Sequence, residues 1–409
     1  MAAPVTPPSP SSPSSPFSSS SSPSPSGGVF SVPAEELRTR RSTKWREFPA
    51  DVLPLWVAEM DVRLAPRIRE RLSGMVESGD TGYMDPARLP AAFADFAARR
   101  WGLSIDTGRL YILQDIMRGV LELLRYGTAP GDGVVINQPV YGPFPVTVEE
   151  AGRRVVNAPL AHDAATGRYE LDLDALEDAF RAGNRVWLLC NPHNPVGRCW
   201  TRQELSAAAE LADRYGVLVI ADEVHGPLVH APHTFTPFSS LEAESARRAA
   251  TLFSASKAWN VAGLKCALLT TRSPRTWGIV EQFCFEVGLG SSILGVAANE
   301  AAFGESEEWL DGLLGALAEN RRLLGGLLRE QVPGVRWEPE HAEATYLAWL
   351  DCRGLGLDDP YATFLQRGRV AFEPGTKYGD AYGGFVRLNY ATSPEVLREA
   401  VGRMAAAVA

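Results

Sequence analysis

The chain has 409 residues with 40 basic and 49 acidic side chains, a net charge of −9. The charges are interspersed after Glu35, which argues against nucleic acid as the main partner and leaves no basic stripe for a membrane surface. No apolar run reaches the roughly 18 residues that span a bilayer, and the N-terminus lacks the basic and apolar regions of an export signal. Five cysteines without paired spacing indicate neither a disulfide framework nor a cysteine zinc site, so the expected compartment is the cytoplasm.

Residues 1–28 hold 12 Ser, 8 Pro, no charge and one aromatic side chain, Phe17. Such a stretch cannot offset the entropy of ordering it, and a disordered tail is expected there. It lacks the arginines of an organelle transit peptide, the first arginine being Arg38. Residues 29–85 read as an N-terminal arm that joins the small domain described below. From about residue 86 to 300, short apolar runs alternate with stretches of helical period, the pattern of βα units feeding a mostly parallel sheet. The strand-like runs are 110–113, 133–137, 154–158, 186–190, 217–221, 251–253 and 266–270, seven in all. A helix over 201–215 opens on a capping box, Thr201 with Glu204. Residues 301–409 change texture. A long helix over 309–330 precedes strands at 344–350, 369–372 and 384–389 and a closing helix from Pro394, a smaller α+β domain. The fold class expected is α/β, with active-site loops at the carboxyl ends of the strands.

Three motifs follow successive strands: Asn-Pro-His-Asn-Pro-Val-Gly at 191–197, Asp-Glu-Val-His at 222–225 and Ser-Ala-Ser-Lys at 254–257. Each alone is weak. In this order and at these sheet ends they resemble the fold-type I, aspartate-aminotransferase-like enzymes, and that resemblance implies pyridoxal 5'-phosphate (PLP) as cofactor. An aldehyde cofactor requires a lysine amine to hold it as a Schiff base, and Lys257 is the candidate. Its pyridine nitrogen stays protonated only beside a carboxylate, a task for Asp222 at the end of an apolar strand. Asn194 can donate to the phenolic oxygen of the ring. The phosphate needs helix-terminal amides, hydroxyls and a cation. Ile116 and Met117 at a helix start, Ser254, Ser256 and Lys265 are the expected donors, although Lys265 stands where the superfamily often has Arg.

The resemblance also implies that Tyr141 stacks on the cofactor face, a core tyrosine being the alternative. It implies further that Tyr83 reaches a neighbouring subunit's phosphate in a homodimer, and that Arg387 binds the substrate carboxylate. His225, His230 and His233 complete no familiar metal spacing, so no metal is expected. Gly288-Leu-Gly lacks the strand and third glycine of a dinucleotide fingerprint.

Finer stretches, Pro-Leu-Trp-Val-Ala-Glu-Met-Asp at 54–61, the segment 254–265 and Glu-Ala-Thr-Tyr-Leu-Ala-Trp-Leu-Asp at 343–351, resemble the MalY/PatB group of carbon-sulfur β-lyases. That implies cleavage of cystathionine or another L-cysteine S-conjugate to thiol, pyruvate and ammonia, with Lys257 as general base. A class I/II aminotransferase, or a related PLP enzyme of specialised metabolism, is the alternative. Glu59, Glu373 and Lys377 depart from the group's usual residues; the last two read either as solvated loop charges or as marks of an unusual substrate.

Overall fold

The structure, a computed structural model, describes residues 28–86 and 88–409. The Ser/Pro-rich tail therefore lies outside the described residues except for Gly28.

A seven-stranded sheet forms the centre. Its strands are β1 (Leu110–Leu113), β2 (Gly133–Ile136), β3 (Arg154–Asn157), β4 (Val186–Cys190), β5 (Leu218–Asp222), β6 (Ala250–Phe253) and β7 (Ala267–Thr270), in the spatial order β1-β7-β6-β5-β4-β2-β3. Only β7 runs antiparallel to its neighbours. Every residue of β2, β4, β6 and β7 is buried. Strands covered on both faces read as continuous apolar runs rather than alternating ones, which is why these four stand out in the sequence; all seven lie within a residue of the expected ends. Helix α1 (Ile116–Gly127) follows β1, α2 (Pro143–Glu150) follows β2, and α3 (Arg202–Arg214) follows β4 and opens on the expected Thr201–Glu204 capping box.

The residue-300 border drawn from composition falls inside a helix, α4 (Ile293–Glu305), after which Ser306 leads directly into α5 (Glu307–Gln331). Strands β8 (Leu347–Asp351), β9 (Glu373–Pro374) and β10 (Phe385–Asn389) form an antiparallel sheet in the order β8-β10-β9, and α6 (Pro394–Val408) closes the chain. The strand expected from 344 starts at Leu347, and the run expected from 369 pairs only from Val370, with the arm rather than in this sheet. Thr345 (φ 71°) and Arg369 (φ 53°) take left-handed backbone conformations, which a continuing strand cannot contain.

The arm packs on these C-terminal elements, among others. Leu53–Pro54 pairs in parallel with Val370–Ala371, and Phe30, Leu55 and Met60 share one apolar core with Leu310, Leu347 and Leu388. The segment after it is pinned by a buried ion pair, Lys44 to Asp61 at 2.8 Å, while the Lys44 ammonium also donates to the Glu59 carbonyl. Breaking such a pair strands a charge in the interior and costs about 3–5 kcal/mol, so residues 55–61 are held firmly where they line the site.

Candidate active site

The parallel strands end on one side of the sheet, and the three motifs converge there with residues from the arm and from β10. Two cavities meet at Lys257, Tyr141 and Pro143. The inner one, about 270 Å³, is lined by Gln114, Asp115, Ile116, Met117, Asp222, Ser254, Ser256 and Lys265. The outer one, about 600 Å³, is lined by Trp56, Val57, Ala58, Glu373, Lys377, Tyr378 and Arg387.

Asp222 is the last residue of β5, paired in register with Cys190 on one side and Leu252 on the other. Flanked by two buried strands, its carboxylate loses water, and burial pushes its pKa up to about 6 against the pull of the Val224 amide and the Lys257 charge. That is a penalty on the charged form of about 3 kcal/mol. A cation brought into contact would remove the penalty, which is the task of a protonated pyridine nitrogen. Lys257 follows β6 on a turn held by Ser254 and Asn299. Desolvation, then the neighbouring Arg387 charge, lowers its amine to about 8. A lysine so placed carries about a tenth of its amine free at pH 7, a few hundred times more than an unperturbed lysine, which favours its use as an aldehyde-capturing nucleophile.

Asn194 sits on the loop after β4. That loop is fastened by His193 Nε2 to the Pro139 carbonyl (2.8 Å) and by the buried Arg198–Glu343 pair (2.9 Å). Gly197 has φ +75°, and a Cβ there would meet Ala342 and Ala344, so glycine is needed both for conformation and for closeness. The Asn194 side-chain oxygen accepts from Arg387 Nη1 at 3.3 Å, which turns the amide nitrogen of Asn194 to other partners. Tyr141 is half-buried, lines both cavities, and is pushed up to about 12 by burial and by Asp222, so it stays a neutral ring.

Ile116 and Met117 are the first two residues of α1, where backbone N–H groups lack intrahelical partners. Asp115 caps the third, accepting from the Arg118 amide at 2.9 Å. Two expected phosphate donors are differently engaged. The Ser254 hydroxyl donates to the Cys266 carbonyl at 2.7 Å, so its proton is committed within the protein, while Ser256 remains on the cavity wall. The Lys265 ammonium lies 3.1 Å from the Asp115 carboxylate, which offsets part of its charge. Tyr83 is 89% exposed and lines neither cavity.

Arg387 is the middle residue of β10. Its Nη2 donates to the Trp56 carbonyl at 2.8 Å, and its guanidinium lies over the Tyr378 ring at 5.3 Å. Register places Glu373 opposite it on β9, with the carboxylate 3.7 Å from Arg387 Nη2 and 2.5 Å from the Lys377 ammonium. Glu373 is only 8% exposed, so the solvated-loop reading of this residue is wrong: cross-strand pairing, invisible in the local sequence, buries it between two cations. Trp56, Tyr378 and His225 were also missed as site residues. Trp56 contributes a carbonyl, which leaves no side-chain signature. His225 has a buried Nδ1 without a partner and is lowered to about 3 by burial, then by the nearby charges of Lys257 and Arg387.

The inner cavity thus offers an amine, a desolvated carboxylate awaiting a cation, helix-terminal amides, a hydroxyl and a lysine, a donor set that fits PLP. The comparisons agree. A Mycobacterium tuberculosis relative is 45% identical over 400 residues, 90% of this chain and 95% of its own. The cystathionine beta-lyase of Corynebacterium glutamicum is 34% identical over 91% of this chain and 98% of that one. The crystal structure of cystalysin from Treponema denticola, which contains a PLP cofactor, superposes with a TM-score of 0.86 at 26% identity, covering 93% of this chain and 98% of that one. The fold is that of the fold-type I PLP enzymes. The sequence model of the class I and II aminotransferases matches residues 55–404, and the chain belongs to that family.

Proposed function

We propose that this chain is a PLP-dependent carbon-sulfur β-lyase that cleaves L-cysteine S-conjugates, the cysteine-S-conjugate β-lyase type, to thiol, pyruvate and ammonia. The observation that carries the reading is the junction at Lys257: one amine faces a cofactor-shaped cavity on one side and a buried carboxylate-binding arginine on the other. Its relatives support the choice of reaction, since the C. glutamicum protein is a cystathionine beta-lyase and a PLP-bound C-S lyase of Staphylococcus hominis shares the fold.

Bound PLP supplies an electron sink for the pair left at Cα when a proton is removed. Lys257 would hold it through its aldehyde, and the Lys257 amine, when free, would take the Cα proton as general base. Asp222 would keep a proton on the pyridine nitrogen. Asn194 would donate to the ring oxygen through its free amide nitrogen, and Tyr141 would shield the ring from water. The amides of Ile116 and Met117 with Ser256 and Lys265 would hold the phosphate. Arg387, pre-aimed by the Trp56 carbonyl, Asn194 and the Tyr378 ring, grips the α-carboxylate with its planar fork and presents the Cα hydrogen to Lys257.

We also propose a homodimer in which Tyr83 completes the neighbouring phosphate site. Its 89% exposure and the 76% exposure of Phe285 support a surface that a second copy covers. Five unpaired cysteines suit a reducing cytoplasm, and among the described residues no helix is long and apolar enough to cross a membrane.

The test is incubation of the holoenzyme with S-methyl-L-cysteine and L-cystathionine, with no keto acid added. Steady, equimolar release of thiol and pyruvate over many turnovers is expected. Turnover only after a keto acid is supplied would make the protein an aminotransferase instead.

A further inference from the structure

We propose that the outer cavity selects L-cysteine S-conjugates whose S-substituent is uncharged and apolar; this rests on the lyase reading and adds the class of thiol that leaves. The cavity, about 600 Å³, has room for a sizeable substituent beyond the amino-acid end. Apart from Lys257, which the cofactor engages, the charged groups on its wall are Arg387, Lys377 and Glu373. Glu373 is buried and its charge is already shared: one oxygen accepts from Lys377 at 2.5 Å and the other lies 3.7 Å from Arg387. Lys377 is tied to that carboxylate and leans towards the Trp56 ring, 6.0 Å away. When the α-carboxylate of a substrate reaches Arg387, the two cations face two carboxylates and the charges balance. A second carboxylate on the substituent would enter beside Glu373 with Lys377 already shared, and any charged group there would give up water for a mostly apolar wall, which is costly.

The rest of the wall is apolar. Trp56 stands on one side, and Pro143, Pro145 and Val146 of α2 stand on the other. Val146 is 61% exposed, an aliphatic side chain at the cavity that a substituent can cover. The start of α2 is packed tightly on the loop that carries Lys377, since a Cβ on Gly142 would lie 2.6 Å from the Lys377 carbonyl.

The experiment compares kcat/KM of the holoenzyme for S-methyl-, S-butyl- and S-(3-carboxypropyl)-L-cysteine and for L-cystathionine. S-butyl-L-cysteine is expected to exceed both charged conjugates by about tenfold or more. In Val146→Asp and Val146→Ser, the ratio of S-butyl to S-methyl is expected to fall, by about tenfold for the aspartate and less for the serine. Retained visible absorbance of the bound cofactor shows that the variants fold. Equal or better turnover of either charged conjugate, or a ratio that neither variant moves, overturns the proposal while leaving the lyase reading intact. Thiol release from none of the four conjugates overturns both.

Discussion

The two cavities that meet at Lys257 are built by different means. The inner one is assembled from the end of β5 and from loops that follow β1, β2, β5 and β6, so each residue inherits its place from a strand end in a rigid sheet. The outer one is composite: an arm segment, a helix of the large domain, and side chains of β9 and β10. Arg387 and Trp56, which share a hydrogen bond, are 331 positions apart in sequence. The contrast separates a cofactor end specified by local geometry from a substrate end specified by long-range packing. Changes at the first should abolish chemistry; changes at the second should alter which molecule is accepted.

The sharpest break of this division is Lys257→Ala. It removes both the attachment point and the base, so a loss of at least about 10³-fold in kcat is expected, together with loss of the visible absorbance of the bound cofactor. Asp222→Asn comes next. It keeps shape but cannot hold the pyridine proton, and kcat should fall by about 10²-fold or more, with the cofactor still captured. Arg387→Lys tests the other end. It retains the charge but loses the fork, and kcat/KM should drop about 10- to 100-fold with little change in cofactor absorbance. If that absorbance vanished as well, the two ends would not be separable.

The pH dependence of cofactor capture is a gentler test. Only the free amine of Lys257 can attack the aldehyde, and its pKa is lowered from 10.5 to about 8. The rate at which apoenzyme takes up PLP should therefore rise with pH through a midpoint near 8 and level off above it. A midpoint near 10 would show that the amine is not desolvated. Removal of residues 1–28 should change least. Every proposed site residue lies at Trp56 or beyond, and a truncated chain is expected to keep both activity and cofactor affinity.

The same division explains what could be read from the sequence. Buried parallel strands announce themselves as unbroken apolar runs, and a polar residue directly after such a run, as with Asp222, is placed by the sheet itself. Local patterns did not reveal which way a hydroxyl points. Ser254 gives its proton to a carbonyl twelve positions on, a choice made by tertiary contact. Nor did they reveal Glu373, whose burial follows from pairing with β10, or the left-handed residues Thr345 and Arg369 that delay two strands. Trp56 holds Arg387 through its backbone carbonyl, which no side-chain pattern can report.

Lys257 as the single covalent meeting point of the two cavities is the central claim. The chain has only four lysines, of which Lys44 is locked in the buried pair with Asp61 while Lys257, Lys265 and Lys377 line the cavities. Reduction of the holoenzyme with borohydride, followed by peptide mass spectrometry, identifies which of them holds the cofactor. The account predicts the pyridoxyl label on Lys257 alone; a label on Lys265 or Lys377 would contradict it.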